Sequence, residues 1–289
     1  MCRLFGFRSR GPSAVHRSLL RAGNALRVQS REHPDGWGIG WWSDARLPPT
    51  LVRGAGAAWA EEAFARNAQL VSAAAVIAHV RKASVGPVTL ENAHPFRWGR
   101  WLFAHNGTVS RFEDHRAAIE AAIDPAFAHV VTGDTDSARC FAIFLGRLAR
   151  HADPAGAVEI ATVARALAET VQTIAAITDA TAPEPSATTF LVGNGELMLA
   201  FRRGRTLWYS THKIRCAERA TCSRFSPACE APSAAGARVN HLIVASERIS
   251  VEDAWVEVPP DGMVGVDAEM RLHHFALADF EERQLSRVG

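Results

Sequence analysis

Apolar positions along the chain alternate between a helical period and the short runs of strands. From Pro12 to Val28, Val15, Leu19, Ala22 and Leu26 follow helical spacing and Pro12 suits a first turn, so the pattern predicts an amphipathic helix packed on a sheet. Ile39 to Trp42, Thr50 to Val52, Ala75 to Val80 and Trp101 to Ala104 are short apolar runs bounded by Gly, Pro or Asn and read as strands; Trp59 to Leu70 reads as a helix. After Asp134-Thr135-Asp136, Phe141, Leu145 and Leu148 fall at i, i+4 and i+7 of a helix, Cys140 lies on an apolar face beside Phe141 and Phe144, and Asp or Thr at the start can cap the free amides. A second helix follows Pro154, with Ile160, Val163, Leu167, Val171 and Ile174 on one stripe. Ala182 to Pro185 breaks that pattern. Seven candidate strands follow: Thr188 to Val192, Leu197 to Phe201, Thr206 to Tyr209, His241 to Ala245, Val256 to Val258, Met263 to Val266 and Leu272 to Phe275. Strands, then adjacent helices, then strands predict an α+β chain of layered sheets and helices, with no repeating βαβ unit.

Composition narrows the function class. The 289 residues carry 32 basic against 30 acidic side chains, 48% apolar residues and 21% charged ones. That is the balance of a globular protein, and it lacks the basic footprint that a nucleic-acid partner requires. Only Lys82 and Lys213 are lysines; the arginine and alanine bias is that of a GC-rich coding sequence. No apolar run approaches the ~18 to 20 residues of a membrane span, Ala73 to Ala78 being the best, and the first residues carry no readable signal peptide. Five cysteines, an odd number, argue against a disulfide framework, and the expected location is cytoplasmic.

Several templates for chemistry fail. Gly54-Ala55-Gly56 lacks the third small residue of a dinucleotide fingerprint because Trp59 occupies its place, and no Walker A loop, nucleophile-elbow serine or zinc-protease histidine pair is present. What remains is Cys2, Arg81 with Ser84, Asn92 to Pro95, His105-Asn106-Gly107 and Asp134 to Ser137. A thiol is a nucleophile, Asn and Gly amides can hold an oxyanion, and Arg with Asp can grip the two charged ends of an amino acid. Residue 2 is small, so removal of Met1 is expected. The α-amine then exposed on Cys2 titrates near pH ~8 and can serve the thiol as base.

Six blocks resemble, in order, the motifs of class II glutamine amidotransferases, which are amino-terminal nucleophile hydrolases. They are Met1-Cys2-Arg3-Leu4-Phe5-Gly6, His33-Pro34-Asp35-Gly36-Trp37-Gly38-Ile39-Gly40, Ala78-His79-Val80-Arg81-Lys82-Ala83-Ser84, Asn92-Ala93-His94-Pro95-Phe96, Phe103-Ala104-His105-Asn106-Gly107 and Gly133-Asp134-Thr135-Asp136-Ser137. Beyond about residue 150 the resemblance loosens, with Ala245-Ser246-Glu247 and Trp255 to Pro260 similar to the closing strands of standalone members. The resemblance implies a four-layer α/β/β/α sandwich, a single domain over residues 2–289, with 213–240 as an irregular surface loop.

It also implies roles. Cys2 attacks the γ-carbonyl of glutamine to form a γ-glutamyl thioester, and its amine passes the proton to ammonia. Asn106 by its side chain and Gly107 by its backbone amide hold the oxyanion, each such donor being worth about 3 to 4 kcal/mol. Arg81 pairs with the substrate α-carboxylate and Asp136 with its α-ammonium, while Asp134 can simply cap the helix. Relatives often carry an acidic residue after the serine; here Ala138 stands there. His94 and His105 either support the substrate loops or are satisfied structural histidines. Ser84 either donates to the substrate carboxylate or ends a strand, and Trp37 either walls the pocket or packs the core. No metal and no cofactor is expected: Cys216, Cys222 and Cys229, with His212 and His241 nearby, match no common zinc spacing. The implied substrate is glutamine; either a separate ammonia-accepting synthase is a partner or the enzyme simply hydrolyses. The alternatives are hydrolysis of a larger γ-glutamyl amide, as in the ergothioneine pathway, and a non-catalytic subunit that keeps the fold.

Overall fold

Arg3 to Ser9 run through the interior of a sheet, paired with a strand on each side. The structure, a computed structural model, describes residues 2–216, 219–220, 222 and 225–281. In chain order its strands are β1 (Arg3–Ala14), β2 (Trp37–Trp42), β3 (Thr50–Gly54), β4 (Ser72–Val80), β5 (Phe96–Trp98), β6 (Trp101–Thr108), β7 (Ala187–Gly193), β8 (Met198–Phe201), β9 (Trp208–Ser210), β10 (His241–Ala245), β11 (Val256–Glu257), β12 (Gly262–Val266) and β13 (Leu272–Ala276). The α-helices are α1 (Leu26–Gln29), α2 (Glu62–Leu70), α3 (Phe112–Ala121), α4 (Asp136–Ala149) and α5 (Ile160–Thr178).

The strands make two antiparallel sheets, β11-β9-β10-β1-β4-β2-β3 and β13-β12-β8-β7-β6-β5. Alternation sends side chains of each strand to opposite faces, and three apolar layers result. Leu4, Ile77, Leu102, Leu191 and Val244 fill the space between the sheets. Phe103, Phe190 and Phe201 face away from it, against Phe141, Phe144, Leu167 and Val171 of α4 and α5. Phe5, Ile39, Val76 and Ala78 cover the opposite outer face with Leu19, Leu26, Phe64 and Ala68. The result is the expected α/β/β/α order.

Two elements differ from the sequence pattern. No single helix spans Pro12 to Val28: β1 continues to Ala14, pairing Ser13 and Ala14 with Ala73 and Ser72, and only a π-turn at Arg17–Arg21 and the short α1 follow. Leu19 and Leu26 still reach the core, so helical spacing was satisfied by two pieces broken at Gly23-Asn24, where the Asn24 amide turns to the Ile249 carbonyl. The helix expected from Trp59 begins at Glu62 instead. The stripe on α5 is as expected. By length and mean hydropathy, 1.3, this helix is also apolar enough to cross a bilayer, which corrects the reading that no such stretch exists. Half of it is buried, with Val163, Leu167, Val171 and Ile174 in the core.

Candidate active site

The site gathers where β1 begins and where its neighbours end. Arg3 pairs with Val80, so Cys2 lies level with Arg81, the first residue beyond β4. The Cys2 thiol is buried, with Sγ 3.6 Å from the Lys82 carbonyl oxygen. Burial pushes this thiol up, Asp136 adds to the effect, and the Lys82 backbone and Arg81 oppose it.

Ser246, just past β10, ties the thiol strand to the opposite sheet. Its Oγ accepts from the Leu4 amide at 2.9 Å and from Asn106 Nδ2 at 3.1 Å, and its own amide donates to the Leu4 carbonyl. Asn106 is thereby held, through Ser246, against Leu4, two residues along the chain from Cys2; its Oδ1 is buried with no partner among the described residues. Gly107 follows at a point where any side chain is excluded, because a Cβ would overlap the Ala187 carbonyl.

Arg81 is buried, its two terminal nitrogens donating to the carbonyls of Val85, Gly86 and Pro87. These bonds shape the loop after β4 and leave part of the guanidinium for a ligand. Ser84 Oγ lies 3.0 Å from Thr108 Oγ1, which brings it to the end of β6 beside Gly107. Asp136 opens α4, buried, where its carboxylate accepts from the Val109 amide at 2.8 Å and from the Ser137 amide and hydroxyl. A carboxylate in the first turn is also favoured by the helix dipole. Thr135 is the residue that caps α4, accepting from the Ala138 amide; Asp134 does not. In place of the acidic residue absent at Ala138, Arg139 clamps the loop by donating to the Gly133 and Thr135 carbonyls and pairing with Glu120.

The two predicted histidines differ. His105 has both ring nitrogens engaged, Nδ1 with Ser137 Oγ and Nε2 with the Ala187 carbonyl, each at 2.9 Å, so it braces the start of α4 and the start of β7. His94 is packed edge-on between His79 and Phe96 at ring separations of 4.2 and 4.5 Å, with neither nitrogen bonded to a described residue. Trp37 packs the core against Phe64, its indole donating to Glu61. Asp35 does what its motif alone did not disclose: its carboxylate accepts from the Ala83 amide while Asp35 and Gly36 exchange backbone bonds with Arg81, fixing the second block onto the third. Asn92 similarly joins the fourth block to the sixth by accepting from the Asp134 amide.

Burial holds His79 down to about 3 and His94 and His105 below their ordinary value, so all three stay neutral at pH 7. In the unfolded chain they bind protons near pH ~6.5. As pH falls below that value the unfolded state takes up protons that the native state refuses, and stability declines toward pH 4. The melting temperature should therefore drop from pH 6.5 to 4.5, and more shallowly in His94→Phe. An unchanged slope in that variant would refute the assignment.

The loop cysteines lie elsewhere. Cys216, Cys222 and Cys229 line a cavity of about 440 Å³ with Phe7, Val15 and His241, beside the far half of β1. The expected surface loop is thus in part the wall of a cavity; residues 217–218, 221 and 223–224 of it lie outside the described residues, as does 282–289 of the predicted domain. Among the described residues no group of three or more His, Cys, Asp or Glu side chains is placed to hold a metal ion.

A buried thiol at the start of a central strand, with an asparagine amide tied to that strand through Ser246, thus sits in an α/β/β/α sandwich. The profile of the family described as Glutamine amidotransferases class-II matches residues 1–283, and the chain belongs to that family. It is 29% identical over 163 residues to the probable glutamine amidotransferase DUG3 of Saccharomyces cerevisiae, covering 51% of this chain and 46% of that one. Over 121 residues it is 36% identical to a γ-glutamyl-hercynylcysteine sulfoxide hydrolase of Mycobacterium tuberculosis, covering 38% of this chain and 51% of the relative. These alignments span about half of each relative's length. The fold is shared with a protein from Silicibacter pomeroyi described as a glutamine aminotransferase class-II domain protein, at a TM-score of 0.61 and 22% identity over 96% of this chain and 99% of that one. The glutamine phosphoribosylpyrophosphate amidotransferase of Bacillus subtilis superposes at 0.60 with 16% identity, over 96% of this chain and 49% of its own.

Proposed function

We infer that the protein cleaves the γ-amide of glutamine, or of a γ-glutamyl compound, through a thioester on Cys2. The observation that carries this reading is the bracket of Leu4, Ser246 and Asn106, which sets an amide donor against the strand that begins with the thiol. In this reading Met1 is removed and the freed α-amine of Cys2 takes the thiol proton as sulfur attacks the γ-carbonyl. The oxyanion is held by Asn106 Nδ2 and the Gly107 amide, the proton passes to the leaving amine, and water then releases glutamate. The raised thiol suits such a base-assisted attack, because a protonated resting thiol needs the amine at the moment of reaction. Arg81 and Asp136 bind the α-carboxylate and α-ammonium, with Ser84 completing the carboxylate contacts and His94 and His105 supporting the loops. No cofactor enters the reaction. Free thiols throughout the described chain suit a reducing, cytoplasmic setting.

The second reading, a γ-glutamyl hydrolase acting on a larger metabolite, is supported by the likeness to the mycobacterial hydrolase. A separate synthase that takes the ammonia belongs to the first reading only. A non-catalytic role is disfavoured by the joint presence of Cys2, Arg81, Asn106, Gly107 and Asp136 in one site. Glutamate release measured on glutamine and on a panel of γ-glutamyl amides separates the readings. Turnover of glutamine alone supports the amidotransferase, preference for substituted amides supports the hydrolase, and no release from any of them refutes both.

A further inference from the structure

The cavity of about 440 Å³ beside the far half of β1 is separate from the site that begins at Cys2. Leu4 of β1 faces the intersheet layer, whereas Phe5 and Phe7 face the outer side of the first sheet. Alternation puts Ser9 on that outer side as well, and the register partners of Phe7 and Ser9 on β10 are Ile243 and His241. These four residues line the cavity, as does the loop that carries Cys216, Cys222 and Cys229. Ser9 lies seven residues along the chain from Cys2, roughly 23 Å of extended strand.

Much of the lining is apolar, from Phe7, Val15, Phe225 and Ile243, and the volume falls within the ~300 to 1,000 Å³ of small-molecule sites. His241 is buried, and its Nε2 has no partner among the described residues. Strand alternation sends this ring to the cavity face with Ile243, while Leu242 turns to the intersheet layer. Burial, with Lys213 adding to it, holds the imidazole down to about 4, so the ring is neutral at pH 7. A buried polar atom without a partner is costly, and a ligand that pairs with it removes that cost. The charges at the cavity are unequal. Arg17 is paired with Glu252 and Lys213 with Asp253, but Arg10 has no carboxylate partner among the described residues. Arg10 follows Ser9, and its amide donates to the carbonyl of Asn240, so it stands one position from the Ser9–His241 pair. The unpaired cation and the unpaired imidazole nitrogen therefore belong to the same end of the cavity.

We propose that this cavity is a second ligand site, and that it binds a small organic carboxylate with an apolar body. The neutral ring of His241 can present Nε2 as an N–H donor to the carboxylate, and the Arg10 guanidinium supplies the opposite charge in a planar fork. The body of the ligand takes the apolar walls out of water. Water alone could pair with His241 but would gain nothing from Phe7, Val15, Phe225 and Ile243.

The test uses 4-phenylbutyrate and 4-phenylbutan-1-ol, which share a body and differ in the carboxylate, and the cavity thiols report occupancy. Iodoacetamide labelling of Cys216 and Cys229 in the full chain, read by peptide mass spectrometry, should slow saturably with phenylbutyrate, and labelling of Cys2 should not change. The acid should bind roughly 10- to 100-fold more tightly than the alcohol, the range of a charged hydrogen bond. Arg10→Gln should bring the two affinities within a few-fold of each other, and His241→Leu should weaken the acid by about 10-fold. Arg10 is exposed, so its variant carries the test should His241→Leu fail to fold. Protection by neither compound means a cavity that holds water only, and equal protection by both means an apolar pocket that selects no anion. Either result overturns the proposal, as does protection confined to Cys2, an acid preference unchanged in Arg10→Gln, or an acid affinity unchanged in folded His241→Leu. Glutamate release is not the readout, so each of these results leaves the proposed chemistry at Cys2 standing.

Discussion

Cys2→Ala should release no measurable glutamate from any γ-glutamyl substrate, a loss of roughly four orders of magnitude or more, as for nucleophiles that act as a unit with their base. The substitution is informative because alanine is also small: removal of Met1 should proceed as before, so the variant keeps a free α-amine and loses only sulfur. The fold should persist, since Cys2 precedes β1 and its Sγ makes one long contact, to the Lys82 carbonyl. Mass spectrometry of the native protein should find its first residue to be Cys2, and a glutamine-like diazo-ketone should add to that residue alone. Cys140 is buried on α4 within the core, while Cys222 is exposed and far along the chain, so addition there would signal simple thiol chemistry. Undiminished glutamate release by Cys2→Ala, or an active preparation that retains Met1, would sink the thioester mechanism.

The six motif blocks made the catalytic half of the chain readable, since each block carries residue types whose chemistry is specific. Strand positions were equally legible from short apolar runs: β2, β3, β4, β6 and β7 to β13 lie on the segments expected as strands, with ends shifted by a few residues, whereas β1 and β5 were not read as strands. Two kinds of feature were not legible. Phe112–Ala121 forms α3 from a charged segment, FEDHRAAIEA, with Phe112 and Ile119 as its buried anchors, too sparse a stripe to read by period. The other kind is contact at long range. Ser246 joins Leu4 and Asn106 across 242 and 140 residues, and Asp35 meets Ala83 across 48. No local pattern encodes such a bond. A serine after β10 and an aspartate between two turns look like ordinary loop residues until the sheets are assembled.

Asn106→Ala should lower kcat by about 10²- to 10³-fold with little change in KM, the signature of a donor that acts on charge developing in the transition state. The geometry makes the test clean. Asn106 Nδ2 has two hydrogens and Ser246 Oγ takes one, so the other is free to point at an oxyanion while the first fixes the amide's orientation. Truncation to alanine removes the oxyanion donor and frees Ser246, which keeps its bond from the Leu4 amide, so the thiol strand stays in place. Labelling of Cys2 by an electrophile that forms no oxyanion, such as iodoacetamide, should therefore proceed at close to the native rate. Ser246→Ala should act in the same direction and more weakly, because it leaves the donor present but unaimed. Gly107 offers no equivalent variant, as any side chain meets the Ala187 carbonyl and the effect on folding would mask that on rate. If Asn106→Ala slowed iodoacetamide labelling as much as it slowed glutamate release, the residue would be holding the nucleophile and not the oxyanion. The Leu4–Ser246–Asn106 bracket would then be a purely structural tie between the sheets.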